Sequence, residues 1–561
     1  MADTDYSTNP TDEQRRQLLQ EALTRAGRQA DFENIVELLS PPPDLTRLFT
    51  PGAMRGIRVG VIGAGLAGLA AAYELRKLGA DITIFEARKD RIGGRVYTFY
   101  FDRSGEYFGE FGPTRIPVSH ETSWHYINLF HLDTEALSGP NPNNFIYAHN
   151  TRIRRDPRSQ NVTDYLYPLY DLTETERNTP WNVLSDYAEN TVMNQLTPEQ
   201  RTDILKIQPE YTPEYAAATR LSNRQTYEML GLSQGVVNLL SAVDPFGFAG
   251  LNISYDDTMN TSYSLDFLNT YRITGGMIRL PLAFYSSLTD NDPLEIDFPS
   301  YFLGKVDIRF GQPVNGISRA KAGGGVELRY QNLRGTELTE DFDYVICVIP
   351  FSTLREVQIR PLFRNEKMQA IREYNYMDAM KTNFLSKKRF WEEDRDYGRM
   401  NGGISFTDLP IQSIFYPPDH LRCGDGEDCS PYSPGVLMAS YNLDQDAERV
   451  SNQADQRRFD LICRNVEEVH GLPPGYLNSV VDSYKTVHWN AEQWARGAFA
   501  AGYPGQRVRF AYSMLQPEYG GRVYFAGEHI SAKQGWIQGA LRSGKNAANM
   551  LIQNLKLPQN R

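Results

Sequence analysis

The sequence contains few cysteines and histidines, no long apolar run and no large block of positive charge. Four cysteines in 561 residues are too few for a disulfide scaffold. No apolar run reaches the roughly 18 residues that a membrane-spanning helix needs, so no membrane span is expected. The net charge is −11, which argues against nucleic acid and anionic membranes as partners. These absences leave a globular protein that acts on small molecules as the expected class.

Residues 1–50 lack the charged-then-apolar pattern of a secretory signal. A cytoplasmic protein is therefore the default expectation, or a secreted one if a leader has been removed. Cys423 and Cys429 bracket a short acidic segment in a predicted loop. They could form a local disulfide, but two free thiols is the interpretation we favour. No further cysteine or histidine lies near them at zinc-site spacing, and no metal site is predicted.

The N-terminal region predicts a helical arm packed on the body of the protein. Apolar spacing from Thr11 to Ala26 is helical, with Thr11 as N-cap and Gln14 at the capping-box position. Beyond it, 561 residues predict two or three domains. Helical patterns then concentrate between about 164 and 244, including Val183 to Leu196 and Ser233 to Val243, which indicates a helical insertion.

A glycine motif near the start of the body predicts a dinucleotide site. Gly63-x-Gly65-x-x-Gly68 joins an apolar strand at 57–62 to a helix, and a second strand ends at Glu86. Gly63 permits a tight turn, Gly65 lets backbone N–H groups approach a pyrophosphate, and Gly68 allows close helix–sheet packing. The helix start favours phosphate. Glu86 is placed to accept hydrogen bonds from an adenosine ribose.

Two further glycine turns indicate a long dinucleotide. Gly93-Gly94-Arg95 could meet the same pyrophosphate from the other side; the alternative is a surface turn with a solvated arginine. Near the C-terminus, a strand at 523–526 leads through Gly527-Glu528-His529 into a Gly- and Ala-rich helix that starts at Gly535. A second glycine-containing helix start could close over the far end of FAD, whereas an NAD dehydrogenase would not normally require one.

These segments resemble the flavin amine oxidase family, in its L-amino-acid oxidase branch. The resemblance rests on Glu86 to Arg95, Phe111 to Pro117, Gly275-Gly276-Met277, Met380 to Trp391, and Phe525 to Gly544. It implies an α/β fold in which an FAD-binding Rossmann-like domain is combined with a mixed α+β substrate domain and a helical insertion. We expect an arm at 1–50, an FAD-binding domain at 51–97, 270–370 and 500–561, a substrate-binding domain at 98–160 and 371–499, and a helical domain at 161–269.

The resemblance also implies roles for individual residues. Arg115 would bind a substrate α-carboxylate, for which its forked N–H donors are suited, unless it holds a structural acid instead. Tyr441 would be the second carboxylate partner. Lys381 would hold a water near flavin N5, the alternative being a solvated strand lysine. Trp536 would stack beside the substrate and the Gly535 carbonyl would accept from its amine, unless Trp536 belongs to the helix–sheet core.

For the cofactor, the residues implied are Gly63, Gly65, Gly68, Glu86, Gly94 and Arg95, with Val314 near adenine and Glu528 near the ribityl and pyrophosphate. No histidine lies between His149 and His420, so that segment provides no histidine base, and no general base is assigned. His488 and His529 are the nearest later candidates, but the resemblance places His529 in the FAD-binding turn. Side-chain-recognising residues are expected from the helical insertion and from around Gln538.

The implied activity is oxidation of an L-amino acid by hydride transfer from Cα to flavin, giving a 2-oxo acid, ammonia and hydrogen peroxide. An L-amino-acid 2-monooxygenase that gives an amide is the nearest alternative. A polyamine or monoamine oxidase is less favoured because its substrates have no carboxylate for Arg115, and a non-catalytic flavoprotein is also possible in principle. The partners are an L-amino acid and oxygen, with a homodimer open. The sequence does not decide the preferred amino acid.

Overall fold

The structure is a computed structural model that describes residues 8–158, 160–243, 247–321, 324–420 and 429–555. Its helices are α1 (Asp12–Arg25), α2 (Phe32–Leu39), α3 (Leu45–Leu48), α4 (Leu66–Lys77), α5 (Glu121–Leu129), α6 (Glu174–Arg177), α7 (Trp181–Gln195), α8 (Pro198–Arg201), α9 (Pro213–Ala218), α10 (Asn223–Met229), α11 (Gln234–Val243), α12 (Gly247–Gly250), α13 (Tyr255–Tyr263), α14 (Arg279–Thr289), α15 (Phe351–Leu354), α16 (Asn365–Glu373), α17 (Asp444–Ser451), α18 (Asp455–His470), α19 (Leu477–Val480), α20 (Gln506–Leu515) and α21 (Ile537–Asn554).

The strands are β1 (Arg58–Ile62), β2 (Asp81–Glu86), β3 (Thr98–Tyr100), β4 (Phe108–Glu110), β5 (Ile116–Pro117), β6 (Thr134–Ala136), β7 (Phe145–Ala148), β8 (Thr151–Arg154), β9 (Thr270–Ile273), β10 (Val306–Phe310), β11 (Val314–Arg319), β12 (Val326–Gln331), β13 (Glu337–Phe342), β14 (Tyr344–Cys347), β15 (Gln358–Arg360), β16 (Tyr376–Met377), β17 (Ala379–Ser386), β18 (Gly403–Thr407), β19 (Ser413–Tyr416), β20 (Gly435–Leu443), β21 (Val481–His488), β22 (Phe499–Ala500) and β23 (Val523–Phe525).

A five-stranded parallel sheet in the order β10-β2-β1-β14-β23 carries the first glycine motif. Strands β1, β2, β14 and β23 are short runs that are largely buried, as parallel sheets covered on both faces require. The edge strand β10 is only partly buried. Helices α4 and α21 pack closely against each other beside this sheet. Gly544 allows that approach, because a Cβ there would lie 2.2 Å from the Ala67 carbonyl oxygen. The α/β fold with a Rossmann-like nucleotide domain is confirmed.

A seven-stranded sheet in the order β21-β17-β20-β19-β18-β7-β8 forms the second large layer. It is antiparallel except where β18 meets β7. The strands β17 and β20 lie in a register that places Lys381 opposite Tyr441. A small sheet, β5-β9-β6, begins directly after Arg115 and fixes the backbone there.

The N-terminal arm and the helical region lie where the sequence predicts them. Helix α1 has Thr11 as N-cap and a complete capping box with Gln14. Arg15 is buried and donates to Val118 O at 2.8 Å, so the arm packs on the body. Helices α6 to α13 occupy the region predicted as helical. The division into domains stays a prediction; β9 pairs with β5 and β6 across two of its expected units.

The prediction of two free thiols in the acidic loop is wrong for Cys429, which is disulfide-bonded. Cys423 lies outside the described residues. Disulfide formation depends on the distance and direction between two Cβ atoms, which the spacing in the sequence does not set. Cys347 and Cys463 are free and buried. None of the helices in the described ranges combines the length and apolar composition needed to cross a bilayer.

Candidate active site

One cavity of about 1030 Å³ runs from the carboxyl ends of β1 and β2 to the helical region. Its lining includes each of the residues predicted for the cofactor except Gly68, which lies behind the first turn, and all those predicted for the substrate. The structure therefore brings together residues that are spread over most of the chain. Their individual roles stay predictions.

The first glycine motif leaves room for a ligand at one position and none at another. Gly63 has φ +107°, which side chains other than glycine rarely adopt. A Cβ on Gly68 would lie 2.2 Å from the Gly63 carbonyl oxygen, whereas a Cβ on Gly65 would meet no protein atom within 4 Å. Helix α4 starts there without a side-chain cap, so its first N–H groups suit a phosphate. Gly94 lies against Gly65.

Glu86 ends β2 as a buried carboxylate held by the backbone. Its two oxygens accept from Ala64 N at 2.9 Å and from Arg88 N at 2.8 Å. Burial raises the pKa of the Glu86 carboxyl, and these two N–H donors oppose the shift. A carboxylate at this place beside an open glycine turn fits the ribose of a dinucleotide. Val314, the first residue of β11, lines the same end of the cavity.

Arg95 and Glu528 join the second and third glycine turns. Arg95 Nη1 lies 2.7 Å from Glu528 Oε1, and it also donates to Ala498 O at 3.1 Å. Glu528 further accepts from Gly535 N at 2.9 Å. The alternative of a solvated surface arginine is therefore wrong. These contacts, with the open turn at Gly65, make the residues present a fit for the pyrophosphate and ribityl portions of FAD.

Arg115 is half-buried in the cavity wall and has no acidic partner. Among the described residues, no hydrogen bond or ion pair reaches its guanidinium. Its Cζ lies 4.9 Å from the ring centroid of Phe415 and 5.8 Å from that of Phe267. Burial lowers the pKa of Arg115 to about 10, with Tyr441 opposing the shift, so the group stays charged at neutral pH. Within the described ranges, the structural-acid alternative for Arg115 is thus wrong.

Lys381 is buried beside Arg115. Its Nζ donates to Gly112 O at 2.6 Å and lies 4.4 Å from the centroid of the Tyr441 ring. Burial lowers the pKa of Lys381 to about 7, and the charge of Arg115 lowers it further. The alternative of a solvated lysine is wrong because only 3% of the residue is exposed. A lysine whose pKa is about 7 can release and take up a proton at neutral pH.

Trp536 stands in the cavity between two aromatic rings. Its ring meets the edge of His120 at 5.0 Å and the ring of Phe267 at 5.8 Å between centroids. It is partly exposed to the cavity, so the interpretation as a buried core tryptophan is wrong. His120 Nε2 lies 3.1 Å from Asp266 Oδ1, and Asp266 pairs with Lys533. His120 is itself outside the cavity lining but contacts Trp536, a position that motif reasoning missed.

Residues around Gln538 line the cavity as expected, through Ile537 and Ala540, although Gln538 itself does not. Gln538 does not reach the cavity; it accepts from Ser123 N at 3.0 Å and donates to Leu39 O at 2.6 Å, because the first turn of α21 faces the N-terminal arm. His488 pairs with Asp378 at 2.8 Å and, like the buried His529, lies outside the cavity lining. The helical region does line the cavity, through residues such as Asn223 and Asp257.

A parallel nucleotide-binding sheet, glycine turns on both sides of one elongated cavity, and a buried carboxylate after the second strand define a dinucleotide-dependent oxidoreductase. Residues 66–552 match the sequence profile of the flavin-containing amine oxidoreductases. The chain belongs to this family, and its cofactor is FAD.

Relatives similar in sequence and structures similar in fold carry different names. YobN of Bacillus subtilis (strain 168), named provisionally as an L-amino-acid oxidase, is 30% identical over 494 residues, 87% of this chain and 93% of its own. The L-amino-acid oxidase of Crotalus adamanteus is 26% identical over 534 residues, 94% of this chain and 91% of its own. Among solved structures, putrescine oxidase and the cyclohexylamine oxidase of Brevibacterium oxydans IH-35A each superpose with a TM-score of 0.66 at 18% and 17% identity, covering 89% of this chain and 99% of theirs. Those structures show the fold alone.

Proposed function

We propose that this protein oxidises L-amino acids at Cα, with oxygen as the electron acceptor, to 2-oxo acids, ammonia and hydrogen peroxide. The observation that carries the proposal is the Arg115 guanidinium, which is charged, lines the cavity and has no partner among the described residues. A cation partly withdrawn from water without a counter-ion is costly. A substrate carboxylate would supply that counter-ion, and simple amines have none.

The chain's own residues would bind and orient the substrate. Arg115 would hold the carboxylate with two N–H donors, and the Tyr441 hydroxyl would donate to it as well. Trp536 would support the substrate on one side while the Gly535 carbonyl accepts from its amine. Lys381, tied to Gly112 O, would hold a water molecule and exchange a proton near neutral pH. Such positioning supplies much of the rate in a reaction of this kind.

Bound FAD would supply the electron chemistry, as acceptor of the Cα hydride and donor of both electrons to oxygen, while the protein residues orient the substrate. The substrate amine must be neutral for its lone pair to assist departure of the hydride, so the rate of reduction is expected to rise with pH as the ammonium deprotonates. The imino product then takes up water and releases ammonia. If the imino product is retained and oxygen decarboxylates it, the product is an amide. Analysis of the products therefore distinguishes this 2-monooxygenase activity from the oxidase activity. A cytoplasmic location and a homodimer stay predictions.

The test is an anaerobic visible spectrum of the purified holoenzyme with L-amino acids, D-amino acids and the amines that lack the carboxylate. We expect bleaching by the L set only. Arg115→Met should lower kcat/KM for L-amino acids by about 10²- to 10⁴-fold, because two hydrogen bonds to a charged group contribute about 1.5–3 kcal/mol each. Reduction by amines but not by amino acids would show that the protein is an amine oxidase and that Arg115 has been misread.

A further inference from the structure

Three polar side chains form a buried cluster next to the cavity. Asp266, Lys533 and His120 are each no more than 2% exposed. Lys533 Nζ donates to Asp266 Oδ2, and Asp266 Oδ1 lies 3.1 Å from His120 Nε2. Since a carboxylate only accepts hydrogen bonds, the proton in the second contact is on His120 Nε2. None of these three groups takes part in the proposed reaction.

Further hydrogen bonds fix the cluster in place. Ser264 Oγ donates to Asp266 Oδ1 at 2.8 Å and accepts from Lys533 Nζ at 2.8 Å. Lys533 Nζ also donates to Asn260 Oδ1 at 2.9 Å. Burial alone would raise the pKa of Asp266, but Lys533 and His120 outweigh it and lower the pKa, so the carboxylate is ionised at neutral pH. A buried network whose members are satisfied is rigid, and Asp266 is therefore a fixed point of the fold.

The cluster holds Trp536 in two ways. The His120 ring meets the Trp536 ring at 5.0 Å between centroids and 89° between planes. An edge-to-face contact of this kind depends on the direction of each ring, and the bond to Asp266 sets the direction of the His120 ring. Lys533 lies three residues before Trp536, in the turn that leads into α21. Trp536 is therefore linked to Asp266 through a ring contact and through the backbone.

The cluster also holds Phe267, which follows Asp266 in the chain. Asp266 is fully buried, whereas 48% of Phe267 is exposed. The Phe267 ring lies 5.8 Å from the Trp536 ring and 5.8 Å from Arg115 Cζ. Leu265, on the other side of Asp266, has φ +55°, a conformation that such a residue keeps only where its surroundings hold it. Asp266 thus anchors the turn that places Phe267, and Phe267 and Trp536 form one aromatic wall beside Arg115.

We propose that Asp266 is a positioning residue for the substrate, because it fixes the aromatic wall beside Arg115. This inference rests on the proposed function, in which Trp536 supports the substrate while Arg115 holds its carboxylate. Asp266 acts through its neighbours, since both of its oxygens accept hydrogen bonds within the cluster. Release of the wall would let the substrate shift, and a misplacement of about 1 Å costs about 10²-fold in rate.

The test compares Asp266→Asn with Glu74→Gln in the holoenzyme. Glu74 is the matched control, because it is fully buried, pairs with Lys77 at 2.8 Å and Lys545 at 3.0 Å, and lies outside the cavity lining. Each substitution removes the carboxylate charge of a buried ion pair, so both should lower the melting temperature. Only Asp266→Asn should slow flavin reduction by a saturating L-amino acid, by about 10- to 100-fold per flavin-loaded molecule. Glu74→Gln should keep the wild-type rate.

A second variant provides for the case in which Asp266→Asn does not fold. His120→Phe keeps a ring beside Trp536 and leaves the pair of Lys533 with Asp266 intact, but it removes the donor from His120 to Asp266. Reduction should again slow, by about tenfold. A wild-type rate in Asp266→Asn, or in His120→Phe if Asp266→Asn does not fold, would overturn the inference and leave the cluster a purely structural role.

A measurement without turnover separates this inference from the proposed function. In holoenzyme that contains fluorotryptophan, the fluorine NMR resonance of Trp536 is assigned by its loss in Trp536→Phe. We expect this resonance to shift or broaden in Asp266→Asn and to stay unchanged in Glu74→Gln. If no L-amino acid reduces the flavin but the resonance responds in this way, the proposed function fails and Asp266 still positions the aromatic wall. An unchanged resonance in Asp266→Asn would refute the positioning role.

Discussion

Substitutions at Gly65 and Gly68 distinguish the requirements of the fold from those of FAD binding. In Gly68→Ala the new methyl group would lie 2.2 Å from the Gly63 carbonyl oxygen, against about 3 Å or more in real structures. That oxygen belongs to the backbone of the turn and cannot move aside freely. Overpacking of this kind costs typically 1–3 kcal/mol, occasionally more. We expect Gly68→Ala to be destabilised by about 3 kcal/mol even without FAD.

Gly65→Ala should behave in the opposite way. Gly65 has φ −76° and ψ 171°, an ordinary extended conformation, and its added methyl meets no protein atom within 4 Å. The reduced freedom of the unfolded chain would stabilise Gly65→Ala by about 0.4–1 kcal/mol. Gly65 is also the N-cap of α4, a position at which alanine is less favourable than glycine. The methyl would project toward the place where the pyrophosphate is expected. FAD affinity should therefore fall at least tenfold, about 1.4 kcal/mol. The apoprotein should melt close to the wild type, because the two effects on its stability oppose each other.

The assay is thermal unfolding of both apoproteins with increasing FAD, since a ligand that binds only the folded state stabilises it by an amount that grows with the logarithm of the ligand concentration over Kd. Wild-type FAD affinity in Gly65→Ala would refute the placement of the pyrophosphate at this turn. Wild-type stability in apo Gly68→Ala would refute the packing argument. The two results are independent, because one concerns the ligand and the other the protein alone.

Two further substitutions test single charges. Lys381→Met should be more stable than the wild type near pH 7, because the pKa of Lys381 is about 7 in the folded state against 10.5 for the free group. The unfolded wild-type chain binds this proton more tightly than the folded chain, so the stability difference should shrink as the pH rises toward 10.5. Melting curves at several pH values measure this difference. Glu86→Gln removes the charge that accepts from Ala64 N and Arg88 N; the flavin-to-protein ratio after purification should fall, and an unchanged ratio would count against the ribose contact.

The nucleotide-binding half of the site could be predicted from the sequence because its signals are local. The turn from Gly63 to Gly68 lies between a strand and a helix whose periodicities are clear, and Glu86 follows at the end of the next strand. Gly535 and Glu528 are recognisable for the same reason. In each case a few adjacent residues fix both the backbone and the chemistry.

The substrate half could be predicted only in part, because it depends on packing between distant elements. The alternation of side chains along a strand predicts which face of the sheet Lys381 lies on, but it does not predict that Lys381 is buried. Its burial depends on Gly112 in a loop and Tyr441 on the next strand. His120 and Asp257 carry no motif. The contact of His120 with Trp536 and the place of Asp257 at the cavity follow from how α5 and α13 pack, which periodicity within either helix does not set.

Arg95 must contact Glu528 and a phosphate at the same time if it binds the cofactor, and its geometry allows both contacts. Arg95 Nη1 donates to Glu528 Oε1 and to Ala498 O. A guanidinium has donors on three nitrogens, and among the described residues no hydrogen bond uses Nε or Nη2 of Arg95. The ion pair with Glu528 therefore fixes the plane of the group and leaves one edge for a pyrophosphate oxygen. Because Glu528 also holds Gly535 N, the same pair links the position of the phosphates to the backbone on which the substrate amine is expected to rest.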